Sequence, residues 1–251
     1  MPVEEEQPPL PPVGAVDMAH LLSDPPKPPM SCPEGTSLWL FGRNLDDANC
    51  EVLAKALRRG DYRHITYLTL GHNAITGRGV SAIAGAIAQD ALPSLTSLGL
   101  MENAIGPDGM VALSAVLHKM PDIQSLELYE CGIGADGMQA LVDAAKGGAL
   151  QSLSGAYLRG NAIGDAGMIA LCDAFAAGAL PKCQMLQLSQ NEVGDEGCLK
   201  LADTIEAGQL GVMRQIQMGQ NKQSRDGFEV VTDVIKEYEL NKGPHRFDVI
   251  F

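Results

Sequence analysis

Residues 66–75 read TYLTLGHNAI. Leu68 and Leu70 alternate with Tyr67, Thr69 and Gly71, so the leucines share one face of a short strand. Asn73 falls where the chain leaves that strand, and its amide can pair with backbone groups of the turn and of a neighbour. Ile75 then returns an aliphatic side chain to the interior. Residues 96–105 repeat the pattern as TSLGLMENAI, thirty positions later.

Extended in both directions, the pattern marks seven units. The residue in the asparagine slot is Arg43, Asn73, Asn103, Cys131, Asn161, Asn191 and Asn221, with successive gaps of 30, 30, 28, 30, 30 and 30. A repeat at this period is the signature of a solenoid. Each unit has a second half with helical spacing, such as Ile83, Ala86 and Ile87, or Leu171, Ala174 and Phe175. A glycine recurs six residues after the mark, at Gly79, Gly109, Gly137, Gly167, Gly197 and Gly227. Glycine costs a helix about 1 kcal/mol relative to alanine, so its recurrence predicts that the helix approaches its own strand closely. Asp108, Asp136, Asp165 and Asp195 fall near helix starts, where negative charge suits the helix dipole. One strand and one helix cannot close a core, but stacked units can.

The pattern L-x-L-x-x-N/C-x-I/L, followed by a glycine-containing helix, resembles the leucine-rich repeats of ribonuclease-inhibitor-like proteins. The resemblance covers about residues 37–240. It implies an α/β solenoid, a horseshoe segment with a parallel inner sheet and outer helices. The Ran GTPase-activating family is similar in repeat type and period, and similar short repeat proteins occur in cytoskeletal and ciliary assemblies.

The flanks differ from the body. Ten of the 15 prolines lie in residues 1–36, with six acidic residues against the single base Lys27. Such a segment buries too little apolar surface to offset its ordering entropy, and reads as a disordered or extended tail. The apolar island from Val13 to Leu22 is the exception and can dock on the body. The repeat domain spans residues 37–242, and residues 243–251 form a terminal cap in which Phe247, Val249 and Phe251 alternate.

Eighteen basic residues face 31 acidic ones, a formal charge of −13, which argues against a nucleic-acid backbone as partner. No apolar run is long enough to span a membrane, and the acidic, proline-rich start does not read as a secretory signal. The six cysteines show no paired metal-site spacing, so free thiols in a cytoplasmic setting are expected. No nucleotide-binding, zinc-protease or nucleophile-elbow motif occurs, so neither enzyme activity nor a cofactor is expected.

Strand register assigns the outward residues. With Leu68 and Leu70 facing in, Tyr67, Thr69 and Gly71 face out, and strands lie about 4.8 Å apart. Carried through the units, this places Trp39, Phe41, Tyr67, Tyr129 and Tyr157 on the helix-free face, five of the chain's 11 aromatic residues. Met101, Glu102, Glu127, Glu130 and Arg159 join them, with Arg159 able to stack on Tyr129. Exposed aromatics with arginine and methionine are typical of protein interfaces, so the expected ligand is a protein with a partly apolar, partly basic contact face. His72, Glu102 and Glu130 sit side by side at the strand exits, where a solvated acidic strip outweighs a cation site.

Overall fold

The computed structural model describes residues 16–23, 25, 35–242 and 248–251, the side chains of 238–242 aside. The repeat body begins with β1 (Ser37–Trp39) and α2 (Asp47–Arg58), preceded by a short helix α1 (Met18–Ser23). Strands and helices then alternate: β2 (Tyr67–Thr69), α3 (Gly77–Ile87), β3 (Ser97–Gly99) and α4 (Gly106–Ser114). A 3-10 turn at Leu117–Lys119 precedes β4 (Ser125–Glu127), α5 (Gly134–Lys146), β5 (Gly155–Tyr157) and α6 (Gly164–Ala176). The last elements are β6 (Met185–Gln187), α7 (Asp195–Glu206), β7 (Gln215–Gln217), α8 (Arg225–Lys242) and β8 (Asp248–Ile250).

The eight strands among the described residues form one parallel sheet in sequence order. The register pairs equivalent residues of successive units, for example Leu38 with Leu68 and Leu68 with Leu98. The eighth strand comes from the chain end, where Ile216 faces Val249. Phe251 packs edge-on against Phe228 of α8 at 4.6 Å, while Phe247 lies outside the described residues. At the other end Met18 is buried, and Tyr62 donates from its hydroxyl to the Leu22 carbonyl at 3.1 Å. The described part of the apolar island thus forms α1 and packs beside α2; the rest of the expected tail, residue 25 and residues 35–36 apart, lies outside the described residues.

Two devices lock the units together. The first is a rail of asparagine side chains. Asn73 Oδ1 accepts from the N–H groups of Arg43 and Leu45, while its Nδ2 donates to the Leu40 and Leu70 carbonyls. Asn103, Asn161, Asn191 and Asn221 repeat this bridging of a unit to its predecessor. Cys131 fills its slot by donating Sγ–H to the Leu100 carbonyl at 3.2 Å.

The second device was not anticipated. Asp47, Asp165 and Asp195 each cap the helix of the next unit. Asp47 Oδ1 accepts from Thr76 N and Gly79 N, Asp165 Oδ1 from Gly194 N and Gly197 N, and Asp195 Oδ1 from Ser224 N. The recurrent glycine therefore makes room for two neighbours, the preceding unit and the aliphatic residue four positions before it in its own unit, and not for its own strand. A Cβ on Gly79 would stand 2.6 Å from Asp47 Oδ1, and one on Gly109 would stand 3.0 Å from the Gly77 Cα.

The core lies between sheet and helices and is built from the same positions in every unit. Leu68, Leu70 and Ile75 are fully buried, each contributing about 1.5–3 kcal/mol by leaving water. One unit is underfilled. Ala156 stands where its sheet neighbours carry Leu126 and Leu186, and it lines a cavity of about 10 Å³ with Met138, Leu141, Leu158 and Leu171. Ala156→Val will raise stability by about 1 kcal/mol, because it fills an apolar void. Scanning calorimetry will show a melting temperature higher by ~2–4 °C. A lower one would mean that the cavity wall does not accept the added methyl groups.

Candidate functional site

The face of the sheet without helices carries four rows of side chains set by the strand register. Trp39, Thr69, Gly99, Glu127, Tyr157, Gln187 and Gln217 face one another across consecutive strands. The sequence-derived register holds for all of them.

The first strands carry a connected aromatic layer. Trp39 stacks on Tyr67 with centroids 6.1 Å apart and planes 10° from parallel. Trp39 also meets Phe41 at 5.8 Å, and Phe41 stacks on His72 at 5.5 Å and 15°. All four rings are half-buried, so each keeps an accessible part. The layer lies low because Gly71 leaves a gap beneath it. A Cβ there would fall 2.2 Å from Met101 Sδ and 3.0 Å from a Phe41 ring carbon.

This packing corrects one expectation. Met101, expected among the contact residues, is only 7% exposed. Its thioether fills the space over Gly71 and accepts from Thr69 Oγ1 at 3.8 Å, so it supports the rings from below. Glycine at an outward strand position was the signal for such filling.

Glu127 behaves similarly at the next gap. Its side chain leans over Gly99, whose added Cβ would stand 3.1 Å from Glu127 Oε2. Tyr67 Oη donates to Oε2 and Ser97 Oγ to Oε1, both at 3.5 Å. Burial pushes the Glu127 carboxyl above the usual carboxylate range, and the two hydroxyls only partly oppose it. Tyr129 is half-buried, and burial, with Glu102 and Glu127 nearby, raises its phenol in turn. Arg159 lies over the Tyr129 ring with Cζ 5.8 Å from the centroid and pairs with Glu130. Tyr157 is half-buried, with its ring laid over Gly155.

The strand exits share a left-handed backbone, with φ of 54° at His72 and Glu102 and 55° at Glu130. Two other units have Gly42 and Gly160 at this position, also with positive φ. A side chain there costs about 1–2 kcal/mol that glycine avoids. His72 Nδ1 stands 2.7 Å from Glu102 Oε2, while Glu130 turns to Arg159, so the three do not converge. Among the described residues no group of three or more histidine, cysteine or acidic side chains is placed to hold a metal ion. Towards the chain end the face turns to glutamine, with Gln190 Nε2 donating to Gln220 Oε1.

Comparison with known proteins bears on the repeat fold. A family profile described as leucine-rich repeat matches residues 63–84, 91–114, 119–142, 157–172 and 184–202. Together with the eight-stranded parallel sheet and its alternating helices, these matches give the chain the α/β fold of a leucine-rich-repeat solenoid. No curated protein matches it. Among 93 matching chains of solved structures is "Leiomodin-1 Actin-Binding Site 2 (ABS2)", at 12% identity and a TM-score of 0.42, covering 75% of this chain and 88% of that one. No helix among the described residues is long and apolar enough to cross a membrane.

Proposed function

We propose that the chain is a non-enzymatic interaction module that binds a protein partner on the open face of its sheet. The contact residues are Trp39, Phe41, Tyr67, Tyr129 and Tyr157, with Arg159, Glu102, Glu127 and Glu130 around them. The observation that carries this reading is the stacked, half-exposed set of rings on a face that none of the described helices covers. Aromatic and arginine side chains dominate the binding energy of protein interfaces when they are already held in place. Among the described residues, the one guanidinium of this face is held by Glu130 and Tyr129, so nothing in its placement favours a GTPase-activating role. The ribonuclease-inhibitor-like subtype and a cytoplasmic setting belong to the same reading. The first is supported by a near-constant period with a helix in every unit, the second by the five cysteines among the described residues, all free and buried.

The test is affinity capture with wild-type protein and a Trp39/Tyr129/Tyr157→Ala variant, followed by titration of the captured partner. Two or three lost anchors at about 2 kcal/mol each predict at least ~100-fold weaker binding. The variant should keep its far-ultraviolet circular dichroism, since all three rings lie outside the core. Equal recovery of the same proteins would refute the open face as the contact surface.

A further inference from the structure

The open face also indicates the chemistry of what it binds. Among the described residues three glutamates lie on it, and two are answered within the chain: Glu102 by His72 at 2.7 Å, and Glu130 by Arg159. Glu127 is different. It lies across Gly99 with two long hydrogen bonds, from the hydroxyls of Tyr67 and Ser97, and no cation of the chain forms an ion pair with it among the described residues. Tyr67 reaches it from two strands away, and Tyr129 lies two residues further along its own strand path. A carboxylate set among tyrosines, one of them already under a guanidinium, matches the requirements of a second cation: opposite charge below and π faces beside it.

We infer that the partner presents a segment whose arginine or lysine side chain seats its cation against Glu127, between Tyr67 and Tyr129. This rests on the open-face reading above. Charge selects this occupant over the alternative at hand. A second copy of the chain carries −13, so charge disfavours it on a face with three glutamates and one arginine. The cation would give the half-buried Glu127 carboxylate a charged partner that none of the described residues supplies. Tyr67, with the Trp39 ring stacked on it, and Tyr129 would then cover the aliphatic stem of the incoming side chain.

The probe is a phage-displayed library of random dodecamer peptides, panned on the full chain and followed by fluorescence-polarisation titration of the enriched sequences. The expected result is enrichment of peptides bearing arginine or lysine. Their affinity should fall at least tenfold in Glu127→Gln, stay unchanged in Glu196→Gln on the exposed first turn of α7, and weaken as salt rises. Glu127→Gln keeps the side-chain volume and its hydroxyl partners, so folding is retained and checked by circular dichroism. Enriched peptides without basic residues, weakened by Trp39→Ala but not by Glu127→Gln, would overturn the cation seat and leave the open face standing. Peptides indifferent to both Trp39→Ala and Tyr129→Ala would overturn both readings. No enrichment at all would overturn the inference that a short basic segment suffices.

Discussion

Asn161→Ala will lower the melting temperature by about 10 °C, the largest effect expected of any single polar side chain in the protein. The side chain is fully buried. Its Oδ1 accepts from Cys131 N at 3.0 Å and Ile133 N at 3.3 Å, and its Nδ2 donates to Leu128 O at 2.7 Å and Leu158 O at 2.9 Å. Alanine leaves these backbone groups without that partner, in a region closed to bulk water. An unsatisfied buried group costs about 1–3 kcal/mol, but an entering water recovers part of that, so the net loss is about 4 kcal/mol. Position adds to the effect. Asn161 joins the fourth unit to the fifth, in the middle of the stack, and stability in a solenoid depends on nearest-neighbour interfaces. Urea unfolding should therefore broaden towards two steps as the halves decouple. Asn161→Asp is the informative companion: a carboxylate still accepts from the two N–H groups but faces two carbonyls it cannot donate to, so it too destabilises. A shift within about 2 °C for alanine would show that the asparagine rail does not hold the units together.

The rail was legible in the sequence because it depends on one residue type at one recurrent position. The strand leucines were legible for the same reason, since Leu68 and Leu98 obey a local alternation that needs no knowledge of the neighbour. What stayed hidden depends on pairs of units. Asp108 and Asp165 look alike as acids near a helix start, yet only Asp165 caps the next helix. The difference is one residue of register: Asp47, Asp165 and Asp195 stand four after their marks, Asp108 and Asp136 five. Each of the first three also has a glycine 32 residues further on, a signal that appears only when two units are read together. On the open face, period-two alternation placed Met101 and Glu127 correctly on the outer side of the sheet. It did not show that Gly71 and Gly99 would let them lie down across the neighbouring strand, one to be buried and the other to lose much of its solvent. Direction follows from a strand's own pattern, whereas exposure depends on what the adjacent strand leaves open.

The paired nature of the aspartate cap makes Gly197→Val the second large effect, a loss of about 3 kcal/mol and ~6–12 °C in melting temperature. Helix propensity alone predicts the opposite sign, because glycine is the poorer helix former. The contacts decide otherwise. A Cβ on Gly197 would stand 2.6 Å from Val193 Cγ1, 2.8 Å from Asp165 Oδ1 and 3.2 Å from Met168 Cβ. Val193 and Met168 are core residues with nowhere to move. Asp165 moves only by giving up the hydrogen bonds it accepts from Gly194 N at 2.6 Å and Gly197 N at 2.9 Å. Bonds to a charged acceptor are worth about 1.5–3 kcal/mol each, well above the ~1 kcal/mol gained in propensity. The comparison that isolates this cause is Gly85→Ala inside α3, where an added Cβ meets only the end of the flexible Arg58 side chain at 3.2 Å. That change should stabilise by up to about 1 kcal/mol, so two glycine replacements in helices of the same solenoid are expected to move the melting temperature in opposite directions. Equal and positive shifts would mean that the helices tolerate a side chain at their joint, and that the aspartates cap without constraining the approach of one unit to the next.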